Sequence, residues 1–270
     1  MSKLFQSIVF IVICVQTFVF GEDPNANVAP FVVFTPPKTG TRLCGKTMSL
    51  ITGKNPAYYT FGIGKTDVES ALIVREETKN GRFVVSHQFT PGIFNLLIGL
   101  GYKVIFVVRD PRDHLISVLN WLHEGEWEYI PVNQIEDPVD QLTDLITGKI
   151  KRFPYVELGF LAYEWNIKDL PPQSLYVTHF EHLVGSKGNG SDEVQLQEVY
   201  NLANFIDKSL TDSEAKNIAS NIFGGTTTFR KGLVGVWKTE FTLEQKRLFR
   251  DRYNDLLIRL NYEVDDSWCP

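Results

Sequence analysis

The residues able to do chemistry gather in three short segments and one isolated histidine. The first, Thr35-Pro36-Pro37-Lys38-Thr39-Gly40-Thr41-Arg42, follows the apolar run Phe31-Val32-Val33-Phe34. This order reads as a buried strand, a tight loop, and a helix starting near Thr41. A helix N-terminus presents unpaired N–H groups and the positive end of the dipole, which together attract anions. Gly40 lets the backbone approach a ligand closely, and Lys38 adds a mobile charge. The expected chemistry is a cradle for phosphate or sulfate, formed by Lys38 and the N–H groups of Thr39, Gly40, Thr41 and Arg42.

In the second segment Arg109 and Ser117 lie eight residues apart across a strand-to-helix turn. They offer a guanidinium and a hydroxyl to one further anion. The third, Arg230-Lys231-Gly232-Leu233-Val234-Gly235-Val236-Trp237-Lys238, pairs two cations with a glycine backbone that could close over the same ligand. His87 stands just beyond the apolar run Phe83-Val84-Val85-Ser86. An imidazole titrating near physiological pH at a strand end suits a general base. Lys46 and Arg112 also recur beside these segments, as does Cys44, which reads as a packed thiol.

Positioning these groups requires an α/β framework. Short apolar runs predict strands over Phe31–Phe34, Arg82–Ser86, Lys103–Val108 and Ser174–Thr178. Thr66-x-x-Glu69, Thr211-x-x-Glu214 and Thr242-x-x-Gln245 read as capping boxes, and Pro91 and Pro111 as first-turn prolines. Strands alternating with helices predict a central, mostly parallel sheet between helical layers. In such sheets ligands sit outside the carboxyl ends of the strands, where all three segments fall. Val184–Ser191 is expected to be a surface loop.

The bulk numbers narrow the function. With 270 residues, 43% of them hydrophobic and 22% charged, the chain is an ordinary globular protein. A net charge of −5 argues against nucleic acid as a partner, so its basic loops point to a confined anionic ligand. Lys3 precedes an uncharged, mostly apolar stretch from Leu4 to Phe20. This predicts a signal peptide over residues 1–21 and a single domain over 22–270. The expected location is the secretory pathway, secreted or periplasmic, or else a membrane surface if residues 4–20 stay as an anchor. Asn189-Gly190-Ser191 is a glycosylation sequon in that setting. Outside residues 1–21 only Cys44 and Cys269 remain, with no metal-ligand spacing, and no metal is expected.

Gly40-x-x-x-x-Gly45-Lys46-Thr47 is a literal match to the phosphate loop of ATP- and GTP-binding proteins. In that motif the first glycine follows the strand almost at once. Five residues separate Phe34 from Gly40 here, so Lys46 falls inside the helix. A kinase or NTPase using Gly45-Lys46-Thr47 is therefore the rival reading, beside a nucleotide-binding protein without transfer activity.

Taken together, the three segments resemble the sulfotransferases that use 3′-phosphoadenosine 5′-phosphosulfate (PAPS). Thr35–Thr41 is similar to that family's 5′-phosphosulfate loop, and Val107–Ser117 to its 3′-phosphate strand and helix. Arg230–Lys238 matches its R-K-G-x-x-G-x-W-K segment, continued by Phe241-Thr242, Gln245, Phe249 and Tyr253. The resemblance implies a three-layer α/β/α P-loop fold and PAPS as co-substrate. It implies Lys38 and His87 as catalytic residues, with Lys38, Thr39, Gly40, Thr41, Arg42, Arg109, Ser117, Arg230, Lys231 and Gly232 holding the donor. A small-molecule, glycan or lipid acceptor carrying a hydroxyl or amine is expected. Trp237 and Phe229 are expected as core or loop anchors. The chain departs from the family at Arg42, Leu43, Val85 and Phe180, where threonine, tryptophan, lysine and tyrosine often stand. Leu243 and Arg247 replace residues of the family's dimer pattern, so that dimer is not expected.

Overall fold

The computed structural model describes residues 28–59, 63–88, 90–123, 138–149, 170–226 and 230–270. The expected signal peptide and Phe229 lie outside them. Five strands, β1 (Phe31–Phe34), β2 (Asn55–Tyr59), β3 (Arg82–Ser86), β4 (Lys103–Val108) and β5 (Leu175–His179), form one sheet. Its order is β2-β3-β1-β4-β5, and every pairing is parallel. β1 lies at the centre, with Val32 facing Val84 on one side and Val104 on the other. All four residues of β1 are buried, because helices cover both faces of the sheet.

Alternation along the strands divides the core in two. Val32, Phe34, Val84, Val104 and Phe106 point into one cluster, and Phe31, Val33, Phe83, Val85, Ile105 and Val107 into the other. The first is covered by α2 (Asp67–Lys79), α3 (Pro91–Gly99), α4 (Pro111–His123), α5 (Pro138–Thr147) and α10 (Leu243–Arg259). The second is covered by α1 (Thr41–Thr52), α6 (Phe180–Leu183), α7 (Asp192–Phe205) and α8 (Asp212–Ile222). A short helix α9 (Trp237–Glu240) precedes α10. This is the three-layer α/β/α arrangement expected from the sequence.

The local signals act as read. Thr66, Thr211 and Thr242 each close a capping box, and Thr90 caps the helix that Pro91 opens. β2 was not predicted, because its sequence Asn-Pro-Ala-Tyr-Tyr carries a proline; the strand is an edge, where a missing N–H is tolerated. β5 runs one residue later than predicted. Segment 184–191 is not a free surface loop. Val184 and Gly188 are buried, and the Gly188 carbonyl accepts the Val234 N–H at 2.9 Å.

Arg112, one of the basic residues that recur beside the loop segments, belongs to the scaffold. Its guanidinium donates to both carboxylate oxygens of Asp110 at 2.8–3.2 Å and to Glu263 at 2.5 Å. It lies in the corner formed by the perpendicular rings of Trp237 and Trp268, 3.8 and 4.6 Å from their centroids. The side chain is only 3% exposed. Removing one partner of such a pair strands the others without compensation. Arg112→Ala is expected to lower stability by about 3–5 kcal/mol, read as a fall in the urea midpoint. An unchanged midpoint would mean that the edge-to-face contact of Trp237 and Trp268 holds the C-terminal segment without the guanidinium.

Candidate active site at the carboxyl edge of the sheet

The loop after β1 is a network of its own hydroxyls. Thr35 Oγ1 and Thr41 Oγ1 lie 2.7 Å apart, and the Thr39 hydroxyl donates to the Pro36 carbonyl at 2.7 Å. Thr39 N–H turns back to the same carbonyl at 3.3 Å. Thr39 is thus buried and braces the loop. Its N–H and hydroxyl both turn to the Pro36 carbonyl, and Thr39 is not among the residues that line the crevice described below. Gly40 takes the N-cap position with φ 111°, and the first helical bond runs from Cys44 N–H to the Gly40 carbonyl. The N–H groups of Thr41, Arg42 and Leu43 precede that bond and form the helix's orphan donors. Lys38 also adopts a left-handed backbone, at φ 69°. Its ammonium lies 5.5 Å from the ring centroid of Trp121 on α4.

Arg109, directly after β4, links the first loop to the third segment. Its Nη1 donates to the Lys38 carbonyl at 3.2 Å, and its Nη2 to the Leu233 carbonyl at 3.4 Å. The guanidinium lies over Phe180, 4.2 Å from the ring centroid. Its Nε is buried without a hydrogen-bond partner, an unfilled donor that an incoming anion would satisfy. Asp113, Glu181 and Asp110 surround this charge. Glu181 accepts the Asp110 N–H and the Tyr262 hydroxyl, both at 2.9 Å, and burial raises its pKa to about 6. The hydroxyl missing at Phe180 is thus absent beside a glutamate that Tyr262 already satisfies.

His87 lies at the end of β3. Its Nδ1 is 2.6 Å from the Thr35 carbonyl oxygen. A carbonyl only accepts, so the neutral ring carries its proton on Nδ1 and leaves the Nε2 lone pair available. Burial is the larger influence on its pKa and lowers it; nearby Arg42 acts the same way. The imidazole is accordingly neutral at pH 7.

These groups meet in one crevice of about 670 Å³. Lys38, Gly40, Thr41, Arg42, His87, Arg109, Ser117, Arg230, Lys231 and Gly232 all line it. Lys46 and Thr47 do not. Lys46 donates to the Gly224 carbonyl at 2.8 Å, and the buried Thr47 hydroxyl to the Leu43 carbonyl within α1. Gly45 is needed for packing, since a Cβ there would strike the Tyr58 hydroxyl. Cys44 is fully buried, and burial raises its thiol pKa, as befits a packed side chain. Trp237 is a core residue, as expected. Among the described residues no group of His, Cys, Asp and Glu is placed to hold a metal ion.

Two positioning residues on α4 were not singled out in the sequence. Asp113 accepts N–H groups from Gly235 at 2.6 Å and Trp237 at 2.9 Å, fixing the third segment to the helix. His114 Nε2 meets the Pro37 carbonyl at 2.8 Å, and complete burial pulls its pKa down to about 4. A neutral ring that must donate to a carbonyl is a strut for the first loop. Neither shows a sequence signal beyond proximity to Arg109.

Gly40 is where the loop tolerates least change. A Cβ there would stand 2.8 Å from Phe180 Cδ2, in addition to the strain of φ 111° on any L residue. Gly40→Ala is expected to cost about 1–3 kcal/mol, measured by urea unfolding. Adding Phe180→Ala should recover only the steric part.

The Sulfotransferase domain family matches residues 29–261. Sulfotransferase 6B1 of Danio rerio is 25% identical over 183 residues, covering 60% of this chain and 56% of that protein. The amine sulfotransferase of Oryctolagus cuniculus is 26% identical, covering 61% and 59%. The chain thus aligns with somewhat over half the length of these curated relatives. Among solved structures, mouse sulfotransferase SULT7A1 complexed with PAP superposes with a TM-score of 0.62 at 18% identity, covering 93% of this chain and 90% of that one. Retinol dehydratase in complex with androsterone and PAP gives 0.58 at 16%, covering 84% and 80%. The likeness of fold covers most of the chain, and the chain belongs to the sulfotransferase domain family.

Proposed function

We propose that the protein transfers a sulfuryl group from PAPS to a hydroxyl or amine of a small acceptor. The observation that carries this reading is the convergence of Lys38, Arg109, Ser117 and Arg230 on one crevice, at the N-terminus of α1 and beside His87. A donor with a 3′-phosphate and a 5′-phosphosulfate needs two anion sites, and the crevice offers two. Arg109 with its unfilled Nε, Ser117 and the Arg230–Gly232 backbone suit the 3′-phosphate. Lys38 and the orphan N–H groups of α1 suit the phosphosulfate. That two solved relatives of the fold bind PAP supports this assignment.

The residues then have distinct tasks. His87 Nε2 takes the proton of the acceptor hydroxyl as its oxygen attacks sulfur. Lys38 stabilises the negative charge that builds on the bridging oxygen as the nucleotide departs, an electrostatic contribution of about 2.7–4 kcal/mol per well-placed donor. Ile116, Leu119, Trp121 and Leu142 give part of the crevice an apolar wall, which suits an apolar acceptor. The androsterone held by the retinol dehydratase neighbour is of that character. The N-terminal segment adds a proposal of secretory location; among the described residues no helix is long and apolar enough to cross a membrane.

The test is a transfer assay with labelled PAPS and a panel of acceptors. Lys38→Ala should reduce kcat by about 10²–10³-fold. Lys46→Ala should leave the reaction rate near wild type, because that ammonium braces a loop carbonyl. The reverse result would establish the rival nucleotide reading. Because the base must be neutral, and His87 titrates below the usual histidine value, kcat/KM should be level at pH 7. It should fall as pH drops through that lowered pKa, and His87→Ala should abolish this acid limb.

A further inference from the structure

The crevice carries positive charge at two ends, and only one of them is offset by carboxylates. At Arg109, Asp113, Glu181 and Asp110 lie close by. Arg42 makes no ion pair with any described carboxylate, although it lines the same crevice. Its charge is held by an aromatic ring instead. The guanidinium lies over the Tyr58 ring, 3.7 Å from its centroid. Tyr58 reaches this position because residue 45, one turn along α1, is glycine. A planar cation stacked on a ring is rotationally fixed, so its outward N–H groups point in set directions.

We infer that the Arg42 side chain binds the non-bridging oxygens of the sulfuryl group during transfer, with Tyr58 and Gly45 as its positioning residues. This rests on the sulfotransfer reading and assigns Arg42 a task beyond its backbone N–H. Arg42 and His87 both line the crevice, and the guanidinium acts electrostatically on the imidazole. β3 supplies no cation there, since Val84, Val85 and Ser86 are neutral and buried. In the step itself the acceptor oxygen forms the new bond to sulfur and its proton passes to His87 Nε2. The bond from sulfur to the bridging oxygen breaks, and its electron pair leaves on the 5′-phosphate. The three non-bridging oxygens stay on sulfur throughout, and a guanidinium can hold two of them through parallel N–H groups.

The experiment compares PAP, which lacks the sulfuryl group, with PAPS on the purified full chain. Calorimetric binding of PAP and single-turnover transfer from PAPS are measured for wild type, Arg42→Thr, Arg42→Gln and Arg42→Lys. The neutral variants should bind PAP within about threefold of wild type. Their transfer rate should fall about 10²-fold, with part restored by lysine. Tyr58→Leu, which frees the guanidinium, should lower transfer without weakening PAP. The inference is overturned if the neutral variants transfer at the wild-type rate. It is equally overturned if they lose PAP affinity in proportion to rate, which would place Arg42 on the 5′-phosphate. Wild-type protein that neither binds PAP nor transfers from PAPS would refute the sulfotransfer reading itself, a result distinct from either of these. Arg42→Gln preserves most of the side chain's bulk, so the comparison stands even if the threonine variant does not fold.

Discussion

Everything at the carboxyl edge of the sheet is organised by one guanidinium. Arg109 leaves β4 and donates to a carbonyl from each of two segments far apart in sequence, Lys38 and Leu233. It gives the first loop and the third segment a shared hydrogen-bond donor across the crevice. The charge is tolerable in this partly buried position because Phe180 lies beneath it and three carboxylates surround it. The same neighbours leave Nε buried without a hydrogen-bond partner. One side chain thus braces two segments and keeps a donor in reserve.

The first turn of α4 extends that logic. Asp110 holds Arg112, Asp113 holds the Gly235–Trp237 backbone, and His114 holds Pro37. Consecutive side chains leave the helix in different directions, so one turn reaches the first loop, the third segment and the C-terminal strap. Burial pushes Asp113 and His114 toward their neutral forms, and hydrogen bonding opposes it in each. Asp113 accepts two N–H groups that favour its charge, whereas the His114 ring is fully enclosed and stays neutral.

The framework was legible wherever the signal was local. The four apolar runs and the three Thr-x-x-Glu/Gln boxes depend on neighbours in sequence, and they form strands and helix starts where read. β2 was hidden because Pro56 argues against a strand unless its edge position is known. Segment 184–191 looked like a loop by composition, yet Gly188 is small because another backbone packs on it. The candidate site was legible by residue type and position: Lys38, His87, Arg109, Ser117 and Arg230 share one crevice. Residue type alone does not separate the cations, since Arg112 and Lys46 stand beside loops as Arg109 and Arg42 do. Motif position left both out of the donor-holding set, and their tertiary partners place them in the scaffold.

The bond from Val234 N–H to the Gly188 carbonyl has a consequence for how the third segment behaves. Together with Asp113, it clamps positions 234–237 from two sides, so Arg230 and Lys231 form a short arm projecting from a fixed pivot. A Cβ at Gly188 would press on the Gly232 carbonyl and tilt that pivot. The turn around residue 188 therefore works as a set screw for the Arg230 end of the crevice. Sequence drift there shifts that end while leaving every side chain that lines the crevice unchanged.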